Sequence, residues 1–267
     1  MLQKEIDVVM LTYNSEKYLK QVLDSIYREI PVHHLIIVDG YSTDQTLKII
    51  RQYPNVKIIQ TKANLGKCRE IGIKTVDTEW FAFVDSDVVL SRGWLNTIRK
   101  YVNDGVGAVE GLDILMSPQR RAWQIGMQKF RQKRRKKLDT SKIRAFTGDT
   151  LIRTEAVKGI NIPKNLNVFE DQYIRNYIEQ KGYRWVKTRE YICKHYDFKP
   201  PNRTFSAGQE AYQMGYLTVK RALFNLIKSL PYSLIVCHYS KEWCVIPFQI
   251  EWQLYYLLGT LKSYFMT

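Results

Sequence analysis

The sequence predicts an α/β fold in which a mostly parallel central sheet lies between layers of helices. Over the first hundred residues, short apolar runs alternate with amphipathic stretches, and the connections between them are short. Such alternation is typical of strand–helix–strand units in a three-layer sheet. Three of the apolar runs end in polar clusters, and ligands bind beyond the carboxyl ends of the strands in such sheets. The same pattern therefore also predicts where a functional site lies.

Strands and helices can be assigned one after another along the chain. Strands are predicted at residues 8–11, 35–38, 56–59, 80–84 and 146–152. The first is a near-continuous apolar run, as a strand buried on both faces should be. Helices are predicted where apolar residues recur at helical spacing, at residues 18–27, 46–53, 66–76, 118–137 and 170–180. Asn14 is expected to cap the first helix, and Ser42 to Gln45 form a capping box for the second.

The chain is predicted to contain a domain over residues 1–200 and a helical appendage over residues 201–267, with the boundary near Pro200. Pro231 and Pro247 are expected to break helices within the appendage. Aromatic side chains lie among Leu and Ile there, as they do in helices at a membrane interface. These residues are Trp243, Trp252, Tyr255, Tyr256, Tyr264 and Phe265.

A membrane span over residues 245–261 would contain Gln249, Glu251 and Gln253, which are costly inside a bilayer. A monotopic anchor is therefore preferred. The expected location is the cytoplasmic face of a membrane, with the protein held peripherally or monotopically.

The net charge of +15 favours polyanionic partners, which include nucleic acid, an anionic membrane surface and phosphorylated substrates. Close to an anionic leaflet, each basic side chain contributes about 1 kcal/mol to binding. A run of such residues follows the predicted helix at 118–137, and the alternative interpretation is a mobile, solvated loop. The run contains Arg131, Lys133, Arg134, Arg135, Lys136 and Lys137.

Asp85, Ser86 and Asp87 directly follow the apolar strand that ends at Val84. Two carboxylates at this spacing repel each other unless a positive group neutralises them. A Mg²⁺ or Mn²⁺ ion that bridges a diphosphate does so, because hard cations take carboxylate and phosphate oxygens. The alternative is a polar turn, since Asp and Ser are ordinary turn residues.

Two further residues are candidate ligand contacts. Asp39 ends the second predicted strand and suits a hydrogen bond from a nucleobase or a ribose hydroxyl, although an acid beside Gly40 is also common in turns. His195 follows an apolar stretch, and it is either a structural histidine or a contact to a metal or diphosphate.

Charged pairs open two of the predicted helices. Lys67 and Arg69 lie where N-terminal amide groups add to an anion site, and the alternative is a solvated basic face. Glu170 and Asp171 are either simple acidic capping residues or the location of a general base for an acceptor hydroxyl.

Taken in order, these motifs resemble those of the family 2 glycosyltransferases. The matching segments are residues 8–14 ending in T-Y-N, residues 37–44 similar to V-D-D-G-S-x-D, and residues 64–66, 82–87, 146–148 and 170–171. The resemblance covers roughly residues 6–196, and the order and spacing of six motifs make it specific.

The resemblance implies a GT-A fold and inverting transfer by direct displacement. It implies a nucleotide site lined by Thr12, Tyr13, Asn14, Asp39, Lys67 and Ser86. Asp85 would contact the ribose or the metal, Asp87 the metal, and His195 the metal or the diphosphate. Asp171 would be the catalytic base, with Glu170 beside it.

Two departures from the family pattern bear on function. Gly40 replaces the usual second Asp, and Tyr41 looks inserted, so the base contacts differ there. The Q-x-x-R-W motif of processive polysaccharide synthases is absent from the sequence, which favours transfer of a single sugar.

The predicted function is metal-dependent transfer of one hexose from a nucleotide sugar to a hydroxyl of a lipid-linked glycan. GDP-mannose is favoured over UDP-sugars by analogy with simple membrane-associated relatives. The alternatives are a polyprenyl-phosphate sugar synthase, a nucleotidyltransferase and a basic nucleic-acid-binding module. Nucleic acid is not expected, because the acidic candidates would repel phosphates.

Overall fold

The computed structural model describes residues 5–134, 144–196 and 201–266. The chain divides into two compact units, which we call the α/β unit and the helical unit. The α/β unit consists of Met1–Ile114 and Thr140–Tyr196, and the helical unit consists of Leu115–Asp139 and Asp197–Thr267. The helical unit thus includes an earlier segment that a single boundary near Pro200 leaves out, and Pro200 itself lies outside the described residues.

The described residues form eight strands and ten helices. The strands are β1 Ile6–Thr12, β2 Val32–Asp39, β3 Val56–Gln60, β4 Trp80–Val84, β5 Val88–Leu90, β6 Val106–Leu115, β7 Asp149–Arg153 and β8 Arg184–His195. The helices are α1 Glu16–Glu29, α2 Thr46–Ile50, α3 Leu65–Thr75, α4 Trp94–Arg99, α5 Pro118–Lys133, α6 Thr154–Val157, α7 Glu170–Gln180, α8 Pro201–Gln213, α9 Val219–Ser240 and α10 Val245–Met266.

The strands form one sheet in the order β3-β2-β1-β4-β7-β6-β8-β5. β3, β2, β1 and β4 are parallel, as the alternating pattern predicts. β7 is antiparallel to both β4 and β6, and β5 is antiparallel to β8. The parallel half therefore ends at β4, and the carboxyl ends of β1, β2 and β4 lie at one edge.

Helices pack closely on the parallel strands and hold that edge in place. The apolar residues predicted for α1 are buried, among them Leu19, Val22 and Ile26. On α3, Gly72 lies so close to β1 that an added Cβ atom would come within 2.3 Å of Val9. A larger side chain at this position would push α3 away from the sheet.

The helix starts near the parallel edge differ from the prediction. The N-cap residue of α1 is Ser15 rather than Asn14, whose left-handed backbone (φ 47°) lies before the helix. The predicted capping box is not formed, because the N-cap residue of α2 is Gln45 and the Ser42 side chain is bonded to Asp39. Asp44 instead accepts hydrogen bonds from the amides of both Glu16 and Thr46. α2 ends at Ile50, three residues earlier than predicted.

The predicted strand at residues 146–152 begins only at Asp149. Phe146 and Thr147 precede it in extended chain, and their side chains contact residues of the candidate site described below. α7 has the predicted bounds, and Gly182 follows it with a left-handed backbone (φ 85°).

In the helical unit, α8 packs on α10, and α9 on both α5 and α10. Close approach depends on glycine, because a Cβ atom at Gly208 would lie 2.1 Å from the carbonyl oxygen of Tyr256. The predicted breaks are wrong. α9 continues through Pro231, because its packing on two other helices offsets the loss of one backbone hydrogen bond. Pro247 lies in the first turn of α10, where a backbone N–H would have no partner within the helix, so the proline costs no hydrogen bond there.

Two other expectations concern the helical unit. Arg131 and Lys133 lie in the last turn of α5 and Arg134 follows it, whereas Arg135, Lys136 and Lys137 lie outside the described residues. None of the helices in the described parts of the chain has both the length and the apolar character needed to cross a bilayer.

Candidate active site

Asp39, at the end of β2, is fully buried and accepts four hydrogen bonds. Its Oδ1 accepts from the hydroxyls of Thr12 (2.8 Å) and Ser42 (2.5 Å). Its Oδ2 accepts from the Ser42 amide (2.9 Å) and from Nε2 of Gln60 (3.1 Å). Burial alone would raise the pKa of Asp39, but these hydrogen bonds outweigh it and lower the pKa. Asp39 therefore braces the loop that follows β2, and its contact with a nucleotide stays a prediction.

Two exposed aromatic side chains flank this loop. Tyr13 and Tyr41 are both exposed, and Tyr41 has a left-handed backbone (φ 62°). Asn14 accepts a hydrogen bond from the amide of Thr43 at 2.9 Å, which ties the ends of β1 and β2 together. A Cβ atom at Gly40 would lie 3.2 Å from the Tyr13 ring. The glycine that departs from the family pattern therefore makes room for Tyr13, and a flat base is a suitable partner for such rings.

The loop of Asp85, Ser86 and Asp87 joins β4 to β5 and is held from two sides. The Asp85 amide donates a hydrogen bond to the carbonyl oxygen of Gly148 (2.9 Å). The Ser86 hydroxyl donates a hydrogen bond to the hydroxyl oxygen of Ser15 (3.0 Å). Asp85 and Asp87 are both half-buried. The two carboxylates are thus partly open, while the backbone that carries them is fixed.

His195, at the end of β8, lies between two carboxylates. Its Nδ1 is 3.0 Å from Oδ2 of Asp113, and its Nε2 is 3.5 Å from Oδ2 of Asp87. The ring stacks on Phe146 with 5.0 Å between centroids. Burial opposes the charged form of His195, but Asp113 and Asp87 outweigh burial and raise the pKa to about 9.

These side chains fit a divalent cation. The distance of 3.5 Å between Oδ2 of Asp87 and Nε2 of His195 is long for a hydrogen bond. It is close to the distance between two neighbouring ligand atoms on one metal ion, which is roughly 3 Å when each metal–ligand bond is roughly 2.1 Å. Asp113 orients the imidazole through Nδ1 and leaves Nε2 directed towards Asp87, as carboxylates do for metal-binding histidines. Carboxylate oxygens and one imidazole suit Mn²⁺ or Mg²⁺.

Arg69 lies buried in the centre of the acidic residues. Its Nη2 donates to Oδ1 of Asp85 at 2.8 Å, and its guanidinium lies 4.8 Å from the centre of the Phe83 ring. Burial opposes its charge, but Asp85, Asp171 and Glu170 outweigh burial and raise its pKa. The alternative of a solvated basic face is therefore wrong for Arg69.

Lys67 is occupied elsewhere. Its Nζ is 2.7 Å from Oε2 of Glu70 and 3.0 Å from Oδ1 of Asn161. These contacts hold α3 against the segment before α7, and the predicted nucleotide contact of Lys67 remains a prediction.

Glu170 and Asp171 form the first turn of α7, and both are buried. The Thr147 hydroxyl donates a hydrogen bond to Oδ1 of Asp171. Burial and then the charge of Asp171 raise the pKa of Glu170 to about 8, although Arg69 and Arg144 act in the opposite direction. The raised pKa favours the protonated form of Glu170, which makes Asp171 the better candidate for the base.

The structure brings most of the predicted residues to one edge of the α/β unit through these contacts, with Lys67 as the exception. It also adds residues that the sequence did not indicate. Asp113 lies beside His195 and belongs to no motif that would identify it. Thr147 lies in the matching segment 146–148, but its contact with Asp171 could not be read from that motif. Arg69 is predicted either beside an anion site or on a solvated basic face, and nothing local in the sequence indicates its burial among acids.

Three features together are typical of the class of GT-A glycosyltransferases. They are the parallel half of the sheet, the half-buried carboxylate pair beside a histidine, and the acid pair at the start of a helix. Residues 7–160 match the family described as Glycosyl transferase family 2, which is more than half of the chain. The chain belongs to this family. The predicted family is thereby confirmed.

Two bacterial relatives are similar in sequence. Poly(ribitol-phosphate) beta-N-acetylglucosaminyltransferase TarS of Staphylococcus aureus (strain Mu50) is 33% identical over 109 residues, which are 38% of this chain and 19% of TarS. Minor teichoic acid biosynthesis protein GgaB of Bacillus subtilis (strain 168) is 25% identical over 246 residues, 84% of this chain and 27% of GgaB. The chain thus spans about a fifth to a quarter of the length of these relatives.

Solved structures show the same fold. The crystal structure of Staphylococcus aureus TarS 1-349 in complex with UDP-GlcNAc has a TM-score of 0.59 at 17% identity and covers 98% of this chain and 73% of that one. The mannosyltransferase PcManGT of Pyrobaculum calidifontis in complex with GDP-Man and Mn²⁺ has a TM-score of 0.60 at 16% identity, with 97% and 75% covered. The predicted GT-A fold is confirmed.

Proposed function

We propose that this chain transfers a single sugar from a UDP-linked donor to a hydroxyl group of a phosphate-bearing glycan at a membrane surface. The observation that carries the proposal is that one buried arginine, Arg69, lies close to both the candidate cation site and the buried acid pair. Arg69 is bonded to Asp85 and lies close enough to Asp171 and Glu170 for their charges to raise its pKa.

The donor side of the site suits a departing nucleoside diphosphate. Asp87 and His195, with Asp85 beside them, would hold Mn²⁺ or Mg²⁺, which when bound supplies positive charge to the diphosphate. Arg69 holds Asp85 through the 2.8 Å ion pair, so the carboxylate keeps its position as charge develops. Tyr13 and Tyr41 offer exposed rings to the base.

The acceptor side supplies a base. The attacking hydroxyl must lose a proton, and Asp171 is the carboxylate held for this purpose by the Thr147 hydroxyl. Direct displacement then inverts the anomeric carbon, as the family resemblance implies.

The relatives with the greater sequence similarity favour a UDP-linked donor over GDP-mannose. TarS, which is 33% identical over 109 residues, is named as an N-acetylglucosaminyltransferase and has been crystallised with UDP-GlcNAc. UDP and UDP-GlcNAc with Mn²⁺ are therefore expected to raise the melting temperature of the chain, and GDP and GDP-mannose are not. A ligand at 100 times its dissociation constant adds about 2.7 kcal/mol to stability. The measurement is a thermal-shift panel with and without Mn²⁺, and stabilisation by the GDP ligands alone would contradict the UDP assignment.

The acceptor proposal rests on charge. The net charge of +15 is large for 267 residues, and the names of the relatives include poly(ribitol-phosphate) and teichoic acid, which carry repeated phosphates. A basic protein surface raises the local concentration of such polymers. A glycan linked to a lipid would present its hydroxyl groups to the same surface.

The membrane proposal rests on an exposed apolar stripe on α9. Leu223, Ile227, Leu230 and Leu234 recur at helical spacing, and each is exposed by about half or more. Arg221 and Lys228 lie on the same helix, as basic residues do at an anionic interface. An apolar stripe of this kind marks a partner surface, and the basic residues favour a lipid surface.

The variant Ile227→Gln, Leu230→Gln is expected to bind anionic vesicles about tenfold more weakly, or worse, because burial of each such side chain contributes about 1.5–3 kcal/mol. Vesicle flotation at low and high salt measures this binding. Tyr191→Gln, which alters an exposed ring of β8, is the control and should bind like the wild type. Equal binding of all three proteins would place the anchor outside α9.

A further inference from the structure

Asp7 is a fully buried acid in the otherwise apolar strand β1, far from the candidate active site. It lies near the amino end of β1, whereas Thr12 and the active-site loops lie at the carboxyl end. The register between β1 and β2 is irregular here, because Ile6 pairs with Val32 and Val8 pairs with Leu35. Asp7 therefore lies opposite two residues rather than one, which is a bulge of a kind that is rare in parallel strands.

The two residues opposite Asp7 are His33 and His34. Neighbouring side chains on a regular strand point to opposite faces, but the bulge allows both imidazoles to approach the same carboxylate. Their rings are in contact, with 4.0 Å between centroids. One ligand atom from each of Asp7, His33 and His34 lies within 4.8 Å of the others.

Both imidazoles direct Nδ1 at a carboxylate. Nδ1 of His34 is 3.2 Å from Oδ1 of Asp7, and Nδ1 of His33 is 3.2 Å from Oε2 of Glu5. A neutral imidazole can carry its proton on Nε2 instead, which leaves an Nδ1 lone pair for a metal ion. His33, His34 and the exposed Glu5 leave the cluster open to solvent.

We propose that Asp7, His33 and His34 bind a Zn²⁺-class transition-metal ion, with water in the fourth position. Two imidazoles and one or two carboxylates are the ligands of zinc in tetrahedral sites. Hard cations prefer oxygen ligands, so this site differs in preference from the Asp85–Asp87 site. Asp7 remains anchored when its Oδ1 binds metal, because its Oδ2 accepts from the amides of Asp77 (2.6 Å) and Thr78 (3.2 Å).

Such an ion would join the amino ends of β1 and β2 and, through Asp7, the turn before β4. The ion would be separated from the active site by most of the length of β1. Asp7 and Thr12 are five residues apart on this strand, which corresponds to roughly 16 Å. Binding at this site should therefore leave sugar transfer intact, so the proposal stands or falls independently of the proposed function.

The test is calorimetric titration of ZnCl₂ into the full chain without an affinity tag, after treatment with EDTA. The wild-type chain is expected to bind one equivalent of Zn²⁺. His33→Ala and His34→Ala should each lower the affinity for this ion at least about tenfold, because loss of a residue that only supports a ligand already lowers metal affinity about 10–100-fold. His238→Ala, which changes an exposed histidine on α9, is the matched control and should bind normally. Asp87→Ala should also retain this equivalent.

Circular dichroism and melting in EDTA establish that the histidine variants fold, and a Co²⁺ absorption spectrum gives a second measure of ligation. Visible bands of the Co²⁺ protein should disappear in the double variant His33→Ala, His34→Ala, while Mn²⁺-dependent transfer persists. Zn²⁺ binding that is unchanged in the double variant, or that disappears only in Asp87→Ala, would overturn the proposal.

Discussion

Replacement of Asp87 by alanine is expected to reduce sugar transfer at least about a thousandfold. The physical reason is the loss of charge opposite the departing diphosphate, since one well-placed stabilising group contributes about 10²–10³ and the cation contributes several kcal/mol. Asp87 is half-buried and 3.5 Å from His195, so its removal takes away one of the two ligands that face each other. Initial rates over a range of Mn²⁺ concentrations measure the effect.

Two variants sharpen this prediction. Asp104→Ala removes an exposed acid from the turn before β6 and should leave the rate unchanged. Asp113→Asn should raise the Mn²⁺ concentration required by about 10–100-fold while the rate at saturating Mn²⁺ changes little, because Asp113 only orients His195. Full activity of Asp87→Ala in EDTA would eliminate the metal assignment.

The parallel half of the sheet could be predicted because its signals are local. The apolar runs, the amphipathic α1 and the acids after β4 each lie within a few consecutive residues, and parallel topology brings strand ends together. The antiparallel half has no such signal, since β7 pairs with β4 across a long intervening segment. Its register decides that Gly148 meets Asp85, and no spacing in the sequence shows this.

Long-range contacts also explain which site residues were missed. Asp113 faces His195 because both β6 and β8 lie in the same part of the sheet, 82 residues apart in sequence. Arg69 looks like any basic residue at a helix start, but Asp85 and the acids of α7 surround it only after folding. Pro231 shows the converse case, in which tertiary packing outweighs a local signal that normally ends a helix.

Asp171→Asn is expected to lower transfer to a hydroxyl acceptor at least about a hundredfold, because a positioned base contributes about 10²–10⁴. The asparagine keeps the shape of the side chain and can still accept the hydrogen bond from Thr147, so the first turn of α7 should be preserved. Donor affinity should hardly change, since the proposed role of Asp171 is on the acceptor and not on the nucleotide. Single-turnover rates, with donor binding measured separately, check both expectations.

Glu170→Gln is the matched control for the assignment of the base. Burial and the neighbouring Asp171 raise the pKa of Glu170 and so favour its protonated form, which glutamine imitates. The rate should therefore fall far less in Glu170→Gln than in Asp171→Asn. If Asp171→Asn transfers at nearly the wild-type rate while it binds donor normally, Asp171 is not the base. An acceptor phosphate, which is already ionised and needs no base, would then explain the chemistry better than a hydroxyl.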